Sequence, residues 1–194
     1  MAKVSSCKDI LMLLLYAKGA DGKKCAPISG RTRVMKMVFL FEKELKRKFN
    51  TGKDISKSAF PDFTPHNFGP FSPAVFSDLE FLVEHGFVKV AQPGRPAQQE
   101  EKEEYSYWQA ASCLDSDDDA GVYEEVFSLT AMGREFVQSG SLAKVNASQH
   151  KVLDEFKSRC TSVPLRALLR YVYTKYPKMT TESRIRDEIL SDSL

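Results

Sequence analysis

Residues 67–88 read NFGPFSPAVFSDLEFLVEHGFV, and this stretch predicts how the first part of the chain folds. Gly69 and Pro70 are typical of a tight turn. Ser72 is a good N-cap, and Pro73 suits the first position of a helix, where its missing N–H costs nothing. Apolar residues then recur at helical spacing until the glycine of EHGF, a residue typical of a helix C-terminus. The stretch is therefore predicted to be a joint that launches a helix rather than a catalytic loop.

Two helices are predicted before this joint. The first begins at Ser6, and Asp9 lies three residues further on, which is the spacing of a weak capping box. The second begins at Thr32 and runs to about Phe49, because apolar residues recur there at helical spacing. The turn-rich stretch 19–30 between the two helices is predicted to be a loop.

Strands and a further helix are predicted after the joint. The segments FVKVA at 87–91, YSYWQA at 105–110 and VYEEVFSLT at 122–130 read as strands, and a polar tip separates the last two. Thr130 is expected to cap a short helix that ends near Gln138. Three helices followed by a β-hairpin and another helix is the element order of a winged helix.

These elements predict a mainly α (α+β) fold. Its core is winged-helix-like, with three helices, a β-hairpin wing and a helical C-terminal extension. We assign residues 1–140 to the winged-helix-like domain and residues 141–194 to the extension packed on it. Within the extension, helices are predicted near 148–160, 163–176 and 182–190.

The composition is that of an ordinary soluble globular protein. Of 194 residues, 42% are hydrophobic and 28% are charged. The longest apolar run, ILMLLLYA at 10–17, is far shorter than the roughly 20 residues that a membrane span needs, so no membrane partner is expected. The run is not followed by the small-residue cleavage site of a secretory signal, and a cytoplasmic location is therefore expected.

The sequence contains no signature of catalysis or of a metal site. Phosphate-binding, nucleophile-elbow and zinc-protease motifs are all absent. His66, His85 and His150 stand in no triad or zinc pattern, and the four cysteines form no CxxC pair. The run DSDDDAG at 115–121 begins like a calcium loop, but Val126 occupies the position where a bidentate glutamate is needed. We therefore expect no enzyme activity, no cofactor and no metal.

Positive charge is concentrated near the start of the chain. The first 58 residues hold fourteen Lys and Arg against five Asp and Glu, although the net charge of the whole chain is only +2. On a helical wheel, basic residues of the second helix cluster opposite its apolar stripe, where they could contact phosphates. The candidate nucleic-acid contacts are Arg31, Arg33, Lys36, Lys43 and Arg47. The alternative interpretation is an ordinary solvated helix face.

The third helix is a poor candidate for reading DNA. Its predicted outward face consists of Ser77, Glu80, Phe81 and Glu84. Two carboxylates would meet the phosphates with the wrong sign, and the acidic hairpin that follows would also be repelled. An exposed phenylalanine beside acidic residues suits a protein partner, because aromatic anchors dominate interface energetics. The alternative is that the C-terminal helices cover Phe81.

The helix predicted at 163–176 carries basic and aromatic residues together. Arg166, Arg170 and Tyr173 lie on the flank of its apolar stripe. Arginine interleaved with tyrosine can grip single-stranded nucleic acid by stacking. A core-packing helix with amphipathic tyrosines at its edge explains the same pattern and is the favoured interpretation.

Two stretches of the chain resemble a known family. RTRVMKMVFLFEKEL at 31–45 and the joint at 67–88 are similar to the Panacea domain of SocA-type antitoxins, phage-associated proteins and related uncharacterised bacterial proteins. The resemblance covers about residues 6–138 and transfers no catalytic residue. It implies a protein that neutralises a toxin or presents a partner to a protease, sometimes with control of transcription.

The sequence thus predicts a non-catalytic regulatory or interaction protein that binds a protein partner, in the manner of an antitoxin or an adaptor. Self-association as a homodimer is compatible with this prediction. The alternative is a DNA-binding transcriptional regulator that uses the basic face of the second helix.

Overall fold

The computed structural model describes residues 4–49, 54–92, 96, 102, 124–140 and 145–191. In these parts the chain is mainly helical and has a small three-stranded antiparallel sheet. The helices are α1 (Cys7–Tyr16), α2 (Arg31–Leu40), α3 (Pro73–Glu84), α4 (Ala131–Ser139), α5 (Ala147–Ser162), α6 (Leu165–Lys175) and α7 (Arg186–Ser191). The strands are β1 (Ile28–Ser29), β2 (Val88–Ala91) and β3 (Val126–Leu129). None of the described helices is both long and apolar enough to cross a membrane.

The sheet has the strand order β1-β3-β2. Val88 of β2 pairs with Leu129 of β3, and Ile28 of β1 pairs with Phe127 on the other side of β3. The two-residue strand β1 lies in the stretch predicted to be a loop, and it is too short to show an alternating pattern in the sequence. The predicted strand at 105–110 and the acidic tip at 115–121 lie outside the described residues.

Capping residues set the predicted helix ends. The Ser6 hydroxyl accepts the backbone N–H of Asp9, and the Asp9 carboxylate accepts the N–H of Ser6, so both halves of the capping box are present. Thr130 caps α4 by accepting the N–H of Gly133 at 3.1 Å. These local predictions are confirmed.

The joint before α3 has the predicted order but not every predicted bond. Pro73 is the first residue of the helix and Ser72 is its N-cap, yet the buried Ser72 hydroxyl makes no capping bond. At the other end, Gly86 has a φ of +73°, and the N–H of Phe87 donates to the carbonyl of Leu82 at 2.9 Å. That bond is part of a Schellman motif, which confirms a glycine stop.

The second helix changes its winding midway. It is α-helical to Leu40, continues as a π-helical turn over Phe41–Leu45 and ends in a 3₁₀ turn over Lys46–Phe49. Its total length is close to the predicted length. The side chains of Phe41, Leu45 and Phe49 are at most 2% exposed. A spacing of four residues would drift around a regular α-helix of 3.6 residues per turn, and the wider π turn keeps these side chains on the core.

The C-terminal helices share one hydrophobic core with the preceding elements. Leu153 and Phe156 of α5 and Leu169 and Val172 of α6 are at most 1% exposed and belong to that core. Both α5 and α6 pack against α2. They therefore cover the side of α2 that a bare three-helix core would leave in solvent.

Candidate functional site

Arg31 and Arg33, in the first half of the predicted basic face, contact other parts of the fold. The guanidinium of Arg31 binds the Glu125 carboxylate and also lies 3.2 Å from Glu80. Arg33 donates to the carbonyls of Cys160 and Val163 at the end of α5. These contacts join α2 to α3, to the residue before β3 and to the C-terminal helices, so both arginines have structural partners.

Lys36 departs furthest from the prediction. Its side chain is 0% exposed, and its ammonium group donates to the carbonyl of Pro70 at 3.1 Å. A buried cation cannot contact a phosphate backbone without unfolding its surroundings. The prediction that Lys36 is available to contact nucleic acid is therefore wrong, because the joint covers it. Arg31 and Arg33 are half-exposed, and their guanidinium groups bind other parts of the fold.

The second half of the face does reach solvent. Lys43 is exposed on the π-helical turn that follows α2, and Arg47 is exposed on the 3₁₀ turn after it. Lys43 lies 3.3 Å from the carboxylate of its neighbour Glu42, which reduces its field toward an anion. What remains of the predicted nucleic-acid surface is small and partly neutralised.

The predicted outward face of α3 is open. Ser77, Glu80, Phe81 and Glu84 are all exposed, and the C-terminal helices do not cover Phe81, which is 38% exposed. The Phe81 ring stacks on His85 with the ring centroids 3.9 Å apart. This stacking holds a large aromatic group at the surface in a defined position.

Lys8 of α1 supports the same ring from the side. Its ammonium group lies 4.7 Å from the Phe81 centroid and forms an ion pair with Asp78 at 2.6 Å. A cation over an aromatic face is attractive. Phe81 is thus preorganised between His85 and Lys8, so binding a partner would cost little conformational entropy at this side chain.

Helix α4 extends the apolar surface beyond α3. Met132 is 45% exposed and Phe136 is 41% exposed. The side chain of Met132 lies against the turn at Gly86. A Cβ added to Gly86 would be 3.3 Å from the methyl carbon of Met132. Phe136 packs edge-on against Phe87 at 5.3 Å between centroids. We call the surface formed by Phe81, His85, Phe87, Met132 and Phe136 the α3–α4 patch.

The patch concentrates the exposed large hydrophobic side chains of the described residues. Five such side chains are exposed, and Phe81, Met132 and Phe136 lie in the patch whereas Tyr171 and Leu190 lie elsewhere. The sequence prediction missed Met132 and Phe136. Met132 and Phe136 are spaced i, i+4 and therefore lie on one face of α4, beside the face of the buried Gly133 and Val137. A helical wheel of this segment would have shown that pairing.

The two buried thiols, Cys7 and Cys160, offer little reactive chemistry. Burial raises the pKa of Cys7 and of Cys160 to about 12, so both stay protonated near neutral pH. Burial also lowers the pKa of His66 and of His150, and this effect outweighs the opposing charges of Glu182 and Asp154. Within the described ranges, no group of three or more His, Cys, Asp and Glu side chains could hold a metal ion. Cys113 lies outside those ranges.

No protein-family model matches the chain, and no curated protein is significantly similar to it. The chain is therefore defined by its own structure as a mainly helical protein with a small antiparallel sheet. The resemblance to the Panacea domain stays a prediction.

Proposed function

We infer that this protein is a non-catalytic regulatory protein that binds another protein through the α3–α4 patch, in the manner of an antitoxin or adaptor. The observation that carries the proposal is the exposure of Phe81, Met132 and Phe136 around the turn at residues 85–87. Phe81 stacks on His85, Met132 lies against Gly86 and Phe136 packs on Phe87. Contiguous exposed apolar surface on a soluble protein marks interaction sites, and aromatic anchors dominate their energetics.

A winged-helix architecture supports the same proposal. We propose that the fold is winged-helix-like, and the element order α1-β1-α2-α3-β2-β3 and the sheet order β1-β3-β2 support this interpretation. In a winged helix that reads DNA, the helix equivalent to α3 enters the major groove with polar and basic side chains. Here that helix presents Glu80, Phe81 and Glu84 instead, which suits a protein better than DNA.

The partner is expected to contact Phe81 directly. We would place a photocrosslinking benzoylphenylalanine at position 81, 132 or 136 of the full chain in its native cells, with position 190 as an exposed control. The expected result is one discrete crosslinked band from the three patch positions and not from position 190. A band at twice the 21.9 kDa chain mass would instead assign the patch to a homodimer. Crosslinking from position 190 alone would contradict the proposal.

DNA binding is the competing function, and the exposed Lys43 and Arg47 are the observations that keep it open. Charge reversal at Arg33 and Lys36 would break internal contacts, so Lys43→Glu with Arg47→Glu is the appropriate variant. Fluorescence anisotropy with generic duplex and single-stranded DNA across a salt series is expected to stay flat at low salt. Micromolar binding with a steep salt slope that the double variant removes would favour the regulator instead.

A further inference from the structure

A cavity lies between the π-helical turn that follows α2 and the helices α5 and α6. Its volume is about 240 Å³. Leu40, Phe156 and Leu168 contribute apolar wall, and Glu44 and Tyr171 contribute polar groups. Ligand cavities in proteins are mostly apolar with a few placed polar groups, and this one has that composition.

Glu44 is the polar anchor of the cavity. Its side chain is only 16% exposed, and one carboxylate oxygen, Oε1, accepts all of its hydrogen bonds. The donors are the Tyr171 hydroxyl at 2.7 Å, the Lys175 ammonium at 2.9 Å and the Tyr176 hydroxyl at 3.2 Å. The second oxygen, Oε2, accepts no hydrogen bond from the residues that the structure describes. Because Glu44 is half-buried and Oε2 has no donor among the described residues, a ligand that supplies a donor can bind there.

The π-helical turn after α2 positions the Glu44 carboxylate. Glu44 lies in the π-helical turn Phe41–Leu45, and such turns are frequent at functional sites. Burial raises the pKa of Glu44, but hydrogen bonds from Lys175 and Tyr171 outweigh that effect and hold the pKa below its ordinary value. Glu44 is therefore a carboxylate, and an acceptor only, at neutral pH.

The surrounding charges select against ionic ligands. Lys175 balances the charge of Glu44, and the exposed Arg159 stands at the cavity wall. An anion would face the Glu44 carboxylate, and a cation would face Lys175 and Arg159. A neutral molecule avoids both repulsions.

We propose that this cavity binds a small neutral ring compound, of one or two fused rings, that donates one N–H or O–H to Glu44. Size supports this class, because an apolar cavity of about 150 Å³ already holds benzene. The cavity is lined by other residues than the α3–α4 patch and does not depend on the partner proposed for that patch. A ligand in the cavity would contact both the end of the second helix and the helices α5 and α6.

The test uses two probes that differ only in the donor. Titration calorimetry of the full chain with indole and with 1-methylindole is expected to show indole binding about ten-fold tighter or more, the size of one hydrogen bond to a charged group. Glu44→Gln is expected to reduce this preference, and the matched control Glu155→Gln, on the exposed face of α5, is expected to leave it unchanged.

Filling the cavity gives a second variant that does not alter the carboxylate. Ala167→Leu places extra volume at the cavity wall and is expected to abolish binding of both probes, with the helical circular-dichroism signal retained. No heat from indole at millimolar concentration would overturn the proposal. Equal affinity for the two probes, or indole binding unchanged by both Glu44→Gln and Ala167→Leu, would also overturn it.

Discussion

Gly69→Val is expected to lower the free energy of unfolding by about 3 kcal/mol. Gly69 has a φ of +83°, a left-handed conformation that a β-branched residue adopts only with strain. A Cβ added there would lie 2.9 Å from Cε2 of Tyr173, closer than side chains pack. Tyr173 is 1% exposed and its hydroxyl lies 2.7 Å from that of Ser183, so its ring has little room to move.

Gly22→Val separates the two causes of this loss. Gly22 has a similar φ of +73°, but nothing lies within 4 Å of an added Cβ. Its expected cost is backbone strain alone, about 1–2 kcal/mol. Urea denaturation of both variants measures the difference, which reports the Tyr173 contact. Equal losses would show that the close approach between the joint and α6 contributes nothing.

Lys157→Met is expected to destabilise the protein by about 3 kcal/mol. The ammonium group of Lys157 is fully buried and donates to the carbonyls of Leu15, Ala17 and Ala26. Burial lowers the pKa of Lys157 to about 8, so the amine still carries its proton at pH 7. Methionine fills a similar volume and leaves all three carbonyls without this donor.

Lys151→Met is the matched control, because Lys151 is exposed on the same helix, α5. Its expected effect is within about 0.5 kcal/mol, as for most surface substitutions. Thermal unfolding followed by circular dichroism measures both variants. A Lys157→Met protein as stable as wild type would contradict the conclusion that this lysine ties α5 to the end of α1.

Local signals in the sequence predicted the ends of the elements. The side chains of Ser6 and Thr130 each accept the backbone N–H of the residue three positions further along the chain. Gly86 ends α3 through backbone hydrogen bonds to the last turn of that helix. Such contacts join residues that are close together in the chain, so they can be predicted from a single sequence. The same reasoning placed Phe81 on the outward face of α3.

Contacts between distant segments could not be predicted in this way. A helical wheel places Lys36 opposite the apolar stripe of α2. The prediction then assumed that the side of the helix opposite the stripe faces water. In the folded chain, Lys36 finds the carbonyl of Pro70 and Arg33 finds the end of α5. These partners lie 34 and up to 130 residues away in the sequence. Only the placement of the joint and of the C-terminal helices shows that Lys36 is buried and that Arg33 has partners within the fold.

The candidate site was predicted in part for the same reason. Phe81 was predicted from its own helix, whereas Met132 joins it only because the Gly86 turn and α4 meet. The Glu44 cavity likewise needs α2, α5 and α6 together. Sites assembled from several elements require the tertiary structure, even where each helix was predicted correctly.

The affinity of the crosslinked partner is the most direct test of the proposed function. Titration calorimetry would compare the wild-type chain with Phe81→Ala, Glu84→Lys and the exposed control Leu190→Ala. We predict that Phe81→Ala weakens binding by about ten-fold or more, as for the loss of an aromatic anchor, that Glu84→Lys weakens it too, and that Leu190→Ala leaves it unchanged. Unchanged affinity for Phe81→Ala and Glu84→Lys, with each variant folded, would contradict the assignment of the α3–α4 patch as the binding surface.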